Sequence, residues 1–331
     1  MPEMEALPVQ ITRLRVAALR RQRVFPAITP KYRALLLAVT EKNLAAAAKT
    51  GWVHTLFDQK KKTKLTACLY VFPSVFEDGS KSWEIRIDLD PHNRRAVNWM
   101  RKRIREIKIP LGRGPVRFNL MADYAALIGE LSRASLNPHS LITVGLVGQA
   151  ARVLKRGSVP DEGQIAGRGL VVRPIANLRE VREAGRLMKT IFTRSPQFGI
   201  FVASPRFIKS EMAKLRQGIG SDADHEGIGF FDRTGKLVGW AMLSFQRSNP
   251  LTGGHGALGF SLSPGIQGMG LSKFLYRRFF MEAQKRKVKR FIGSTSNPAI
   301  LHLNRKFGRR PLAYMISSEK PHFPLSYFRK R

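Results

Sequence analysis

The sequence predicts an α/β fold built twice: two domains, each a central mixed β-sheet flanked by helices. Three observations carry this. The chain has 331 residues, roughly twice the size of a compact domain. Strand-like and helix-like segments follow one another as hairpin, strand, helix, strand, helix, an α/β order. That order recurs about half a chain later: Phe57 to Phe231 is 174 positions and Lys64 to Lys236 is 172.

Residues 1–39 read as a basic N-terminal arm. The stretch 11–33 is Arg-rich and free of acids, as in an organellar targeting segment. Glu3 and Glu5 precede it and it lacks serine, which favours a basic surface helix or nucleic-acid arm. The first domain is expected over 40–155. VHTLFDQKKKTKLTACLYVF (53–72) reads as two strands around a polar turn. Trp83, Ile85, Ile87 and Leu89 alternate with Glu84, Arg86, Asp88 and Asp90, a period-2 strand ended by Pro91. A helix over 94–108 places Val97, Met100, Ile104 and Ile107 near one face. A strand at 116–120 and a helix over 123–136, stopped by Asn137-Pro138, complete it. The polar, Gly-rich stretch 156–169 reads as a linker.

The second domain, 170–331, opens with a strand at Leu170 and a helix over 178–190. EGIGFFDRTGKLVGWAMLSF (226–245) matches the first hairpin: Phe231-Asp232 and Lys236-Leu237 repeat Phe57-Asp58 and Lys64-Leu65, and Asp-Arg-Thr-Gly suits a hairpin turn. A strand over 257–262 ends at Pro264, the counterpart of Pro91. A helix over 270–286, a strand over 288–294 and a helix over 298–307 follow.

The charge bounds the partners. Lys+Arg is 58 against 23 Asp+Glu, a net +35 spread over both halves: residues 1–160 carry 28 basic and 12 acidic side chains, residues 161–331 carry 30 and 11. Such a field attracts phosphates, nucleic acid or acidic surfaces and repels cationic partners. Cys68 is the one cysteine, which excludes an intrachain disulfide and a Cys-based zinc site and suits a reducing, cytoplasmic compartment. Histidines 54, 92, 139, 225, 255, 302 and 322 show no ligand spacing, so no metal is expected. No apolar run reaches membrane-span length, and no membrane partner is expected.

The richest stretch is GALGFSLSPGIQGMGLSKFLYRRFF (256–280). A strand ends at Leu262-Ser263-Pro264, Gln267-Gly268-Met269-Gly270 follows, and a helix begins at Leu271-Ser272. Glycines let the backbone turn tightly, and the free N–H groups and dipole of a helix start favour an anion. Strand, glycine loop and helix start together suit a pyrophosphate. No Gly-Lys-Ser/Thr ends the loop, which excludes a Walker A motif. The order Gly265-x-x-Gly268-x-Gly270 inverts the dinucleotide fingerprint, and no acidic residue lies about twenty positions on. A glycine loop with no ligand is the remaining alternative.

This stretch resembles the motif of the GNAT superfamily of acyl-CoA N-acyltransferases. Leu262-Ser263-Pro264 and Gln267-x-x-Gly270-x-Ser272 fill its pattern, with Ser272 where Gly or Ala is usual. Asn297 opens NPAILHLNRKFG, which ends at Gly308 as the family's last helix does, and VVRPIANLREVREAGRLM (171–188) looks like the family's first strand and helix. The resemblance covers about 170–316. Residues 40–155 then read as a degenerate GNAT-like copy, because His92-Asn-Arg-Arg follows Pro91 where glycines would be needed. The chain is thus expected to be a tandem of GNAT-like domains.

The resemblance implies acetyl-CoA, or another acyl-CoA, as co-substrate in a cleft between two splayed parallel strands, 256–262 and 288–295. Ser263, Gln267, Gly268, Met269, Gly270, Leu271, Ser272 and Asn297 would hold it, and the Leu262 amide would polarise the thioester carbonyl. A primary amine would attack directly, with Glu226 or His255 as base. Two departures bear on the chemistry. Asn304 stands where the family often has the Tyr that protonates the departing thiolate, and Arg309 replaces an aromatic residue. Asn is no acid near neutral pH, though its amide can donate a hydrogen bond to sulfur. The +35 charge favours an acceptor that is anionic or carried by nucleic acid or a ribonucleoprotein. The rival reading is a catalytically reduced tandem protein that binds nucleic acid. The tail Tyr327-Phe-Arg-Lys-Arg331 suits phosphate and stacking contacts or a frayed terminus.

Overall fold

A computed structural model describes residues 6–21, 28–61, 63–75, 81–107, 115–155, 157–194, 205–217, 219, 224–246, 254–295 and 297–318; the aromatic-basic tail lies outside these. The chain divides into two compact units, residues 1–142 with 311–331, and residues 143–310.

The first unit begins with α1 (Leu7–Arg21) and α2 (Pro30–Ala48). Thr29 caps α2 by accepting from the Tyr32 amide, and Pro30 sits where no intrahelical N–H is needed. An antiparallel meander follows: β1 (Val53–Phe57), β2 (Leu65–Val75) and β3 (Lys81–Leu89). β2 is buried on both faces, which its unbroken run LTACLYVF permits. Ala67, Leu69 and Val71 pack with Met100 and Ile104 of α3 (Arg94–Glu106), while Cys68, Tyr70 and Phe72 pack with Ile11 and Ala47. The stretch read as a basic arm is therefore helical where it is described, and its apolar side covers a sheet. Arg15 reaches through that layer to both oxygens of Asp88, at 2.8 and 2.9 Å, to Thr40 at 2.9 Å and to Tyr70. β4 (Arg117–Met121), a 3₁₀ turn, α4 (Ile128–Arg133) and β5 (Asn137–Leu146) continue the chain. Asn137-Pro138, read as a helix stop, is the start of β5. The last strand, β11 (Arg310–Ser317), pairs antiparallel with β4.

In the second unit α5 (Val147–Lys155) lays Val147, Ala150 and Leu154 into the core beneath α9 (Leu271–Lys285). This contact places 143–155 with the second unit. The expected linker contains α6 (Glu162–Gly167), opened by a reciprocal cap between Asp161 and Gln164. The strands run β5-β10-β9-β8-β7-β6, with β6 (Leu170–Pro174), β7 (His225–Asp232), β8 (Leu237–Gln246), β9 (His255–Leu262) and β10 (Arg290–Thr295). One sheet face carries α7 (Leu178–Arg194) and α8 (Pro205–Gln217), packed through Val181, Met188 and Leu215 onto Trp240 and Met242. The other carries α9, whose Phe274, Leu275, Phe279 and Phe280 meet Phe230, Leu243 and Phe245. Burying each such side chain contributes about 1.5–3 kcal/mol. α10 (Pro298–Lys306) follows β10.

The order two helices, three-stranded meander, helix, strand, helix, strand recurs in both halves, the second half adding α5, α6 and β6 ahead of it. Even the hairpin turns agree. Asp58 accepts from the amides of Lys60 and Lys61, and Asp232 from those of Thr234 and Lys236, with Gly235 at φ +78°. Mixed sheets flanked by helices, in tandem, are what the sequence predicts. No described helix is long and apolar enough to cross a membrane.

Candidate active site

The site is set by how β9 ends and α9 begins. β8 and β9 pair along their whole length, Gln246 opposite His255 through Gly239 opposite Leu262. The Ser263 amide donates to Val238 at 3.0 Å. Alternation then turns the backbone N–H and C=O of Leu258, Phe260 and Leu262 away from β8, toward β10. On that side β10 is in register only at Arg290 with His255 and Phe291 with Gly256. Beyond these two pairs the parallel strands part. The last six residues of β9 have no β10 residue in register and offer an edge, a template for an amide-bearing chain, with the Leu262 carbonyl alone met by a side chain of the following loop.

At the open end of this gap the backbone makes its tightest turns. Gly268 and Gly270 have φ +81° and +78°, a region L-residues rarely adopt. Gly270 is the cap residue of α9 and supplies no side chain to the first-turn amides of Leu271 and Ser272; Pro160 lies against it, 3.2 Å from where a Gly270 Cβ would stand. A Cβ on Gly268 would meet nothing within 4 Å, so the mouth is open there. The Gln267 side-chain Nε2 donates to the Leu262 carbonyl at 3.0 Å and Arg168 donates to the Met269 carbonyl at 2.6 Å. These bonds fix the loop and set a guanidinium beside it. The arrangement fits a CoA-type pyrophosphate: uncapped amides, a helix dipole, a cation and room.

In the first unit the matching helix start is closed. Asn93 caps α3 by accepting from the Ala96 amide at 3.1 Å, and Asp90 accepts from His92 beside it at 3.1 Å. A side-chain oxygen occupies the place an anion would take.

The remaining sequence candidates fall in different surroundings. His255 stands at the closed end of the gap, seven residues before Leu262, half-buried, with its imidazole pushed toward the neutral form by burial. Glu226 lies on β7 and takes two hydrogen bonds from Arg278 of α9, at 2.8 and 3.1 Å. Asn297 caps α10: its side-chain oxygen accepts from Ala299 at 2.9 Å. Asn304 is buried, and its oxygen accepts from Tyr276 at 3.2 Å and from Arg309 at 3.0 Å. Leu262 and the 267–272 loop thus meet at the open end of the gap, His255 lies at its closed end, and Glu226 is engaged on another strand. Tyr276, hidden in an aromatic helix face, and Thr143, on a strand the sequence did not reveal, are the two neighbours of Asn304 that pattern reading missed.

A parted pair of parallel strands facing a glycine-led helix start defines a CoA-thioester-binding α/β transferase. Residues 194–308 match the family model described as Acetyltransferase (GNAT) family. Over that span the chain carries a GNAT domain, a fold of acyl-CoA-dependent N-acyltransferases. Nearly the whole chain shares its fold with the GCN5-related N-acetyltransferase from Sphaerobacter thermophilus: 12% identity over 96% of this chain and 95% of that one, TM-score 0.52. A tandem GNAT protein from the clavulanic acid biosynthesis pathway is similar at 13% identity over 96% and 95%, TM-score 0.44. The N-myristoyltransferase of Saccharomyces cerevisiae is similar at 13% identity over 81% and 66%, TM-score 0.36. A search of curated proteins returns no match.

Proposed function

We propose that the second unit transfers an acetyl group from CoA to a primary amine on an acceptor that is anionic or carried by nucleic acid or a ribonucleoprotein. The parting of β9 and β10 ahead of the uncapped α9 supports the donor half of this reading. Amides of 267–272 hold the pyrophosphate, the edge of β9 holds the pantetheine arm, and the Leu262 N–H polarises the thioester carbonyl. Positioning and oxyanion stabilisation supply most of the acceleration. Glu226, which also holds Arg278, and His255, kept neutral by burial, are the two candidate bases, the amine's proton reaching either through water. The first unit serves as platform: its capped α3 leaves no equivalent cradle. The net charge of +35 supports the acceptor half, since it concentrates polyanions and repels polyamines or basic tails.

Thermal shift with CoA, acetyl-CoA, longer acyl-CoAs and an RNA oligomer tests both halves. Stabilisation by acetyl-CoA that Gly270→Glu abolishes is the expected result. Salt-sensitive oligomer binding without any CoA response refutes the donor half and leaves a binding module.

A further inference from the structure

The segment ahead of β6, read from the sequence as a linker, is built against the glycine loop and the start of α9. Val159 and the fully buried Ile165 join the apolar cluster that also holds Met269 of the loop and Leu271 and Phe274 of α9. The Pro160 ring lies against Gly270, so space as well as the φ of +78° favours glycine there. Glu162 stands 3.6 Å from Arg278 of the same helix. Arg168, the C-cap residue of α6, donates through Nη1 to the Met269 carbonyl at 2.6 Å. Four contacts thus tie one short segment to the place where the donor's diphosphate is expected.

The Arg168 bond fixes a direction. A trans peptide is planar, with its C=O and N–H antiparallel, so a cation on the Met269 oxygen lies on the opposite side of that peptide from the Gly270 hydrogen. Among the described residues the Gly270 N–H meets no acceptor. The guanidinium is therefore no direct ligand of an anion held at this hydrogen. It acts through the peptide. A positive charge on the carbonyl draws electrons from the nitrogen and makes the N–H a stronger donor, as hydrogen bonds in a chain polarise one another. The same bond resists a flip of the 269–270 peptide, which would carry the hydrogen away.

We infer that Arg168 is a positioning residue for the acyl donor: it orients and polarises the Met269–Gly270 peptide so that the Gly270 N–H donates to the diphosphate. This rests on the acyl-CoA reading above. The segment before β6 thereby belongs to the donor site, although it lies about a hundred positions from the loop it serves. Its apolar anchors, Val159 and Ile165, do not depend on Arg168, so a neutral side chain at that position leaves the cradle folded and weakens one of its amides. Arg168 is exposed, and water and salt screen its charge, which keeps the effect moderate.

The test is calorimetric titration of the full-length protein with CoA and with 3′-dephospho-CoA, which keeps the diphosphate and lacks the ribose phosphate. Arg168→Ala should weaken both ligands alike, by roughly three- to tenfold, a part of one charge-assisted hydrogen bond. Arg168→Lys returns a cation to the carbonyl and should recover most of the loss. Melting of both variants without ligand should stay near wild type. CoA held by Arg168→Ala as tightly as by wild type overturns the inference. A loss seen with CoA alone also overturns it, because that marks direct contact with the ribose phosphate. A loss that Arg168→Lys leaves unrecovered does the same, because that marks a structural role for the guanidinium. Wild-type protein that binds neither ligand sinks the acyl-CoA reading itself.

Discussion

Replacing Gly268 with alanine probes the point where loop conformation and anion binding meet. Gly268 sits at φ +81°, and a Cβ there has no atom within 4 Å, so the change introduces no clash. It does introduce left-handed strain, about 1–2 kcal/mol for an L-residue. The second unit, residues 143–310, is of a size for which 1 kcal/mol moves the melting temperature by about 2–4 °C. If the loop keeps its shape, melting should fall by roughly 2–8 °C. If the loop instead relaxes to negative φ, the strain is relieved but the Met269 amide swings out of the mouth. One or two charge-assisted hydrogen bonds to the pyrophosphate are then lost, each worth about 1.5–3 kcal/mol. CoA affinity should drop by roughly tenfold if one weak bond is lost and by up to roughly ten-thousandfold if two strong ones are. Gly268→Asn, whose side chain tolerates the left-handed region, should recover much of either loss. Calorimetric melting and isothermal titration with CoA on the full chain read both branches. An alanine variant that melts with the wild type and binds CoA equally well refutes the reasoning.

Three further outcomes follow from the geometry. Gly145→Ala brings a Cβ to 2.7 Å from the Phe291 ring and 2.9 Å from Arg309, so urea denaturation should show a loss of about 1–3 kcal/mol; wild-type stability would contradict the packing described. Glu130 accepts from Arg105 and Arg133, and these hydrogen bonds push its carboxyl from 4.5 down to about 2. Its contribution to the first unit is complete above 4.5 and fades as pH falls toward about 2. Melting of Glu130→Gln should therefore lie below wild type at neutral pH and converge with it in strong acid; parallel curves throughout would refute the pairing. Burial holds the His255 imidazole below its usual 6.5, so it stays neutral through neutral pH and protonates only in more acidic solution. The acidic limb of kcat/KM should lie below 6.5 and vanish in His255→Gln; an identical limb in the variant assigns the base elsewhere.

Much of this protein was legible where chemistry is local. Asp-x-Thr-Gly at 232–235 and the Asp58 turn are written in residues that hydrogen-bond within four positions, so both hairpins, and with them the repeat, could be seen in sequence. Gly268 and Gly270 announce left-handed backbone, and the apolar spacing of Leu271, Phe274, Leu275 and Phe279 announces the helix behind them. Where meaning depends on distant partners the pattern failed. Asn137-Pro138 is a sound helix stop, yet a sheet neighbour makes it the beginning of β5. The apolar side of the first basic helix carries the signal of any surface helix until β2 supplies the layer beneath it.

The amino-acid sequence by itself determined the two-fold α/β plan and the glycine-led helix start, because hydrophobic period and backbone permissiveness belong to the residues themselves. Only the tertiary structure decided that β9 and β10 part after two pairs, that Asn93 closes the first copy's helix while Gly270 leaves the second open, and that Arg309 lies buried with Asn304. The parting of β9 and β10 and the burial of Arg309 against Thr143 and Gly293 join segments far apart in the chain and exist only once strand pairing has brought them together, whereas the caps at Asn93 and Gly270 are local bonds made or left open by the folded backbone.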